Sequence, residues 1–156
     1  MYPRPYVDFL THFHGTRDYF ECHEELEELW KETEPGSRDS VWVLLIQFAV
    51  SLYHFRRGNL KGAEILINKT FDKLSINHKK LEQLGIDSVM FTQLILEIKD
   101  DIQSFKRYQS PVIPIYDENL IQLIKSRCEE WGVIYGTPSD FSNTKLINKH
   151  MKKFRN

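Results

Sequence analysis

Apolar residues recur every three to four positions along most of this chain of 156 residues, and this period predicts amphipathic helices joined by short polar links. A first short helix, PYVDFLTHFH, should end at the Gly-Thr-Arg stretch of residues 15–17. Asp18 and Glu21 have the spacing of a capping box, so we expect the second helix to begin there. It should run to about Glu32 and end before Pro35, because proline breaks a helical pattern.

The next segment, SVWVLLIQFAVSLYHFRR, is apolar nearly all round, which predicts a buried helix. Its uncharged stretch, residues 41–55, has about fifteen residues and is too short to cross a bilayer, which requires about 20. Gly58 and Asn59 form a tight link, and Asn59 is a favourable N-cap for the helix LKGAEILINKTFDKL. We therefore expect residues 41–74 to form an antiparallel helical hairpin.

The second half of the chain is more often interrupted. The polar stretch SINHKKLEQLG leads to a predicted helix from about Asp87 to Phe105. The apolar stripe of that helix is expected to contain Val89, Leu94, Ile98, Ile102 and Phe105. Pro111 and Pro114 predict an extended segment, and ENLIQLIKSRCEEW predicts a further helix before the basic tail NTKLINKHMKKFRN.

These elements predict an all-α fold, a single-domain multi-helix bundle whose core is an antiparallel helical hairpin. One helical domain should span residues 1–156, with the extended segment, C-terminal helix and basic tail in residues 111–156. Glycine and proline are scarce, at 7 and 6 residues, which disfavours disorder and turn-rich β structure. A domain of this length buries about 70% of the surface of its unfolded chain, which is enough for a substantial core.

Charge and cysteine content narrow the expected functions. The formal net charge of -1 gives the whole molecule no attraction to nucleic acid or anionic lipid, so nucleic-acid binding is expected only through the basic C-terminal tail. Lysines of that tail could equally complement the acidic segment of residues 18–34. The only cysteines, Cys22 and Cys128, fit neither a disulfide framework nor a CxxC metal site. Because MYPRPYVDF also lacks the features of a signal peptide, we expect a cytoplasmic protein without a membrane span.

Candidate chemistry begins with YFECHEELEELW, because a helix over this segment turns a histidine toward its own apolar face. His23 falls within about 60° of Tyr19, Leu26 and Trp30, and Glu27 borders the same stripe one turn later. On the following helix, Gln47, Ser51 and His54 share a sector about 60° wide, with Arg57 just beyond its edge. A buried polar group without a partner costs about 1–3 kcal/mol, so we expect these two polar stripes to face each other.

Three interpretations of this cluster remain open. In the first, the residues form a structural network in which Glu27 pairs with Arg57 or a histidine and Gln47 bridges the helices. In the second, His23, Glu27 and His54 bind zinc or manganese, Glu24 or Glu27 is the general base on a bound water, and Gln47 orients the substrate. In the third, the cluster lines a metal-free pocket for an unknown small molecule, and a histidine donates a proton.

The segments YFECHEELEELW and LIQFAVSLYHFRRGNLKGAEIL resemble the bacterial and archaeal family known as domain of unknown function 309. The resemblance is specific over roughly residues 8–74, within a family-like core of about residues 8–110, and it implies a small all-α bundle. The family carries the general label of predicted metal-dependent hydrolase, so the resemblance implies that activity. The resemblance also implies a set of signature positions, which are His23, Glu24, Glu27, Gln47, His54, Arg57 and Asn59.

Other enzyme classes find no support in the sequence. It has no P-loop, no GxSxG or HExxH motif and no glycine-rich dinucleotide fingerprint. The hairpin of residues 41–74 also resembles one tetratricopeptide unit, but no second unit follows. The alternative to a metal-dependent hydrolase is therefore a non-catalytic helical protein that binds a small molecule or a partner, in which the cluster is a structural polar network.

Overall fold

The computed structural model describes residues 1–149, and within that range the chain forms eight α-helices and no β-strand. The predicted all-α multi-helix fold is therefore confirmed. The helices are α1 Arg4–Thr11, α2 Tyr19–Thr33, α3 Val41–Arg56, α4 Leu60–Asp72, α5 Leu74–Gln83, α6 Ser88–Gln103, α7 Glu118–Glu130 and α8 Thr144–Ile147, with a π-helical turn at His12–Thr16 after α1. The end of the predicted basic tail, from residue 150 onward, lies outside the described residues.

The helix starts follow the predicted capping signals. The carboxylate of Asp18 accepts a hydrogen bond from the backbone N–H of Glu21 at the start of α2. The Asn59 side chain accepts from the N–H of Gly62 at the start of α4. Such side chains satisfy N–H groups that have no partner inside the helix, so they fix where each helix begins.

The α2, α3 and α4 helices pack antiparallel around a core supplied mainly by α3. At one end of α2 and α3, Trp42 Nε1 donates to Thr33 Oγ1 over 3.1 Å. At the other end, Arg56 Nη1 donates to the carbonyl of Arg17 over 2.7 Å. The α3–α4 pair is the predicted hairpin, and the fully buried side chains along α3 are Leu44, Leu45, Phe48, Ala49, Ser51 and Leu52.

The polar stretch SINHKKLEQLG was expected only to lead to the next helix. Most of it instead forms helix α5. Leu74 and Leu81 are buried on one face of α5, and Asn77 is buried between them. Asn77 Nδ2 donates to the carbonyls of Asp39 and Lys73, which ties α5 to the link before α3. The apolar pattern of the sequence did not predict this helix, because few of its residues are apolar. Only two leucines seven positions apart mark its buried face.

The predicted stripe of α6 is wrong at its two ends. Val89 is 66% exposed on the outer side of the first turn, and Phe105 is 80% exposed. Phe105 lies beyond the last residue of α6 with a φ of 57°, so the helical period no longer determines its direction. The buried side chains of the helix instead follow the period from 88 to 102 and are Ser88, Phe91, Ile95, Ile98 and Ile102.

Residues 106–116 are extended, as predicted around Pro111 and Pro114, and they run along the bundle. The backbone N–H of Asp87 donates to the carbonyl of Pro114 over 2.9 Å, and the N–H of Tyr116 donates to the carbonyl of Gly85 over 2.9 Å. The N–H of Ile113 donates to His14 Nε2 over 3.0 Å. These bonds satisfy backbone groups that an extended segment cannot satisfy within itself.

Two buried arginines hold the segment that follows α7. Arg17 is 1% exposed and donates through Nε to the carbonyl of Thr137 over 2.8 Å. Arg56 is 4% exposed and donates to Ser139 Oγ over 3.2 Å and to the carbonyl of Leu146 over 3.4 Å. Its guanidinium also lies over the ring of Tyr19, 4.5 Å from the centroid. The C-terminal segment, residues 133–149, is thus fixed to α3 and to the link before α2 by buried charged donors.

His14 is completely buried and neutral, so it should make stability depend on pH. Its Nδ1 donates to the carbonyl of Leu10 over 2.9 Å, and burial lowers the pKa of the imidazole from 6.5 to about 3. Between those two pH values the unfolded chain binds a proton at this residue and the folded chain does not. Stability should therefore fall as the pH drops below about 6.5, by up to about 1.4 kcal/mol for each pH unit from this residue.

A His14→Gln variant removes this titration while keeping polar atoms at the position. We expect it to be less stable than the wild type near neutral pH, and the difference to shrink as the pH is lowered toward about 4. Urea unfolding of both proteins across this range measures the difference directly, because carboxylates common to both proteins cancel. A constant difference across the range would show that His14 is not buried in its neutral form.

No helix among residues 1–149 has the length and apolar character that crossing a membrane requires.

Candidate functional site

A groove of about 540 Å³ opens between α2, α3 and the C-terminal end of α4, and we call it the α2–α4 groove. This volume lies within the range of about 300–1,000 Å³ that is usual for small-molecule sites. Its apolar floor is formed by Trp30, Val43 and Ile46. Its polar lining consists of His23, Glu27, Gln47, Arg38, Lys69 and Lys73. The predicted convergence of His23, Glu27 and Gln47 across two helices is therefore observed.

Three potential metal ligands meet at the α2 side of this groove. His23, Glu24 and Glu27 each offer one donor atom, and these atoms lie within 4.8 Å of one another. We call this set the His23 triad. His23 Nε2 is 3.1 Å from Glu27 Oε2, and its Nδ1 is 3.8 Å from Glu24 Oε1. The pairing of His23 with Glu27 follows from helical spacing, since positions i and i+4 lie on the same face, whereas Glu24 at i+1 reaches the imidazole from the side.

The donor atoms of the His23 triad suit a divalent metal ion such as zinc or manganese. One imidazole nitrogen and two carboxylate oxygens match the ligand types that both ions accept. Ligand atoms around an ion at about 2.1 Å lie no more than about 4.2 Å apart, and the donor atoms of the triad lie within 4.8 Å of one another, which is close to that limit. The His23 side chain is 34% exposed and that of Glu24 is 43% exposed, so an ion could enter from solvent.

Glu27 is oriented by a neighbour one turn further along α2. Lys31 Nζ lies 3.0 Å from Glu27 Oε1, while Oε2 of the same carboxylate faces His23. The lysine therefore fixes one oxygen and directs the other toward the triad. Partners of this kind orient the ligands of metal sites and contribute to their affinity.

Gln47 connects the floor of the groove to the end of α4. Its Oε1 accepts a hydrogen bond from Lys73 Nζ over 2.8 Å. With the amide oxygen occupied in this way, its Nε2 keeps two N–H donors for a ligand. Desolvation is the largest of the effects that lower the pKa of Lys73, with the nearby charge of Lys69 acting in the same direction.

The remaining predicted site residues lie away from the triad. His54, predicted as the third metal ligand, has its Nδ1 3.2 Å from Asn59 Nδ2, so the two form a pair at the link between α3 and α4. Glu24 takes the position in the triad that was predicted for His54. Ser51 is buried and donates to the carbonyl of Phe48 over 2.7 Å. Arg57 lies over the ring of Tyr53, 5.8 Å from its centroid, rather than against Glu27.

Three cationic residues of the groove were missed by sequence reasoning. Lys69 and Lys73 lie four positions apart at the end of α4, a spacing that puts both on one face. That spacing identifies a site only when the packing of α4 against Gln47 is known. Arg38 lies in the link between α2 and α3, and no pattern in the sequence marks it.

Comparisons with known proteins connect this region to a family. Residues 6–66 match the model of the family described as Domain of unknown function (DUF309). Uncharacterized protein YpuF from Bacillus subtilis (strain 168) is 43% identical over 155 residues, which cover 99% of this chain and 89% of that relative. A search of solved structures found no match. The range matched by the family model contains the His23 triad and Gln47, whereas Lys69 and Lys73 lie beyond it.

Proposed function

The chain belongs to the family described as domain of unknown function 309, and from this premise we propose that it is a metal-dependent hydrolase whose divalent ion binds to the His23 triad. The observation that supports this proposal is the placement of three nitrogen and oxygen donors within 4.8 Å of one another beside a groove of about 540 Å³. The ion is zinc or manganese, because the donor set contains no thiolate and has both imidazole and carboxylate.

Each polar residue of the site has a distinct role in this proposal. A divalent ion, when bound, supplies Lewis-acid polarisation and an activated water. His23 and Glu27 are the principal ligands, since Glu27 is already directed toward His23 by Lys31. Glu24 is the most exposed member and would be the third ligand through one carboxylate oxygen, which leaves its other oxygen as a general base for a bound water. Gln47 orients the substrate through its free amide N–H groups.

A second candidate is a metal-free binding protein in which the same residues form a structural polar network. One observation favours it: Glu27 already contacts both His23 and Lys31, so its carboxylate is satisfied without an ion. In this candidate the α2–α4 groove binds an unknown small molecule, and catalysis plays no part. Only the first candidate requires stoichiometric metal binding.

Calorimetric titration of chelator-treated protein with zinc and with manganese separates the two candidates. The proposal predicts binding of one ion per chain and a hydrolytic activity on chromogenic model substrates that EDTA abolishes. Native mass spectrometry of protein purified without chelator provides an independent measure of the bound ion. Absence of binding at ion concentrations well above those of the protein would favour the metal-free candidate.

The compartment and the tail complete the proposal. We assign the protein to the cytoplasm, and the support is that both cysteines are buried and unpaired, as expected in a reducing environment.

The first part of the basic tail serves the fold of this chain, because Lys149 Nζ lies 2.7 Å from Asp18 Oδ2 and 3.0 Å from Glu21 Oε1. This pairing supports the expectation that tail charges complement the acidic start of α2.

A further inference from the structure

The part of the α2–α4 groove lining that comes from elements other than α2 and α3 is cationic. Arg38, Lys69 and Lys73 line this cationic wall, and they come from the link before α3 and from the end of α4. None of the three forms an ion pair with a carboxylate among residues 1–149. The charges of Asp39 and Asp72 act on Lys73 from a greater distance and offset this positive charge only in part, so the groove keeps an excess of positive charge on one side.

Lys73 is held toward the groove by neutral partners. Its ammonium group donates to Gln47 Oε1 over 2.8 Å and to the carbonyl of Lys69 over 3.4 Å. Neither acceptor carries a charge, so these bonds orient the lysine without neutralising it. A partly desolvated cation in this position is unfavourable alone, and a bound anion would relieve the cost.

We propose that the cationic wall binds the phosphate group of a small phosphate monoester, whose organic part packs on Trp30, Val43 and Ile46. The inference rests on the proposed function, because it names the substrate class of the same groove. Phosphate fits better than a carboxylate because a monoester carries a charge of about −1.5 to −2 at neutral pH, closer to balancing three cations. Lysine and arginine are both common phosphate ligands, through charge and charge-assisted hydrogen bonds.

The arrangement assigns the phosphate the role of an anchor. With the phosphate on the cationic wall, the organic part of the ligand lies on the apolar floor and extends toward the His23 triad. Binding at the cationic wall requires no metal ion, so it can be measured separately from the metal chemistry. That separation allows the two proposals to fail independently.

The test uses phenyl phosphate as the probe and protein stripped of metal with EDTA, at constant ionic strength. Titration followed by NMR of backbone amides should show binding to the wild type with shifts in the lining of the α2–α4 groove. Lys73→Met should weaken this binding at least about tenfold, because it removes a charged donor from the site. The matched control is Lys61→Met, which removes the same charge from an exposed position at the other end of α4.

Two further measurements separate the possible results. Lys73→Arg should retain most of the binding, since it keeps the charge, and thermal melts establish that each variant is folded. Equal effects of Lys73→Met and Lys61→Met, or no binding to the wild type, would overturn the phosphate proposal. If zinc still binds in that case, the metal proposal stands. If phenyl phosphate binds and zinc does not, the metal proposal fails and the phosphate site remains.

Discussion

Replacing His23 with alanine should weaken zinc binding by at least about 10- to 100-fold while leaving the fold intact. The loss of a ligand costs at least as much as the loss of an outer partner, for which that range is typical. His23 supplies the only nitrogen of the His23 triad, and its side chain is 34% exposed, so its removal leaves a small defect in packing. Calorimetric titration with zinc measures the affinity, and a thermal melt without metal measures the stability.

Glu27→Gln and Glu28→Gln provide the matched pair for this prediction. Both changes remove one negative charge from α2 and preserve the size of the side chain. Glu27 lies in the His23 triad, whereas Glu28 is exposed and is not part of it. We expect Glu27→Gln to reduce zinc affinity as strongly as His23→Ala and Glu28→Gln to leave it nearly unchanged. Similar affinities in all three variants would show that zinc binds elsewhere.

Arg56→Ala should destabilise the fold by about 2–4 kcal/mol, which corresponds to a decrease in melting temperature of about 5–15 °C. The variant loses the bonds to the Arg17 carbonyl, which keeps only the N–H of Tyr19, and to Ser139 Oγ. It also opens a cavity beside Tyr19, whose ring lies 4.5 Å from the guanidinium. Hydrogen exchange should show the largest loss of protection in the C-terminal segment.

The neighbouring residue supplies the control for Arg56. Arg57→Ala removes the same charge from a partly exposed side chain whose observed partner is the ring of Tyr53. We expect this variant to cost less than about 1 kcal/mol, as is usual for partly exposed charges. If the two alanine variants melt at the same temperature, Arg56 does not hold the C-terminal segment.

Local patterns in the sequence were sufficient to predict the helices that form the site. The capping residues Asp18 and Asn59 mark the starts of α2 and α4 because each acts on its own first turn. The pairing of His23 with Glu27 was also predictable, since it depends only on the spacing of four along one helix. Interactions that reach no further than one helical turn can be predicted from the sequence.

The position of His54 shows where such reasoning stops. A helical projection gives the direction of Gln47 and His54 around α3 but not their height along it, and seven residues separate them by about 10.5 Å. Because α2 and α3 are antiparallel, Gln47 shares the groove with His23. His54 lies two turns further along, where Asn59 is its partner. A shared direction around a helix therefore does not establish a shared site.

Arg56 was not predictable for a different reason. The partners of its side chain include Ser139 and Leu146, which lie 83 and 90 positions away in the sequence. The apolar pattern of α3 gives no indication of a buried cation, and Arg57 lies only 100° further round the helix. Contacts between distant segments depend on how the chain folds back, and the spacing of residues within one helix does not record that path.

The most direct test of the metal site is a crystal structure of the protein soaked with zinc, with diffraction data collected on both sides of the zinc absorption edge. The account predicts one anomalous peak about 2.0–2.2 Å from a ring nitrogen of His23 and from carboxylate oxygens of Glu24 and Glu27. A fully soaked crystal with no peak beside His23, or with a peak coordinated only by residues outside the His23 triad, would contradict it.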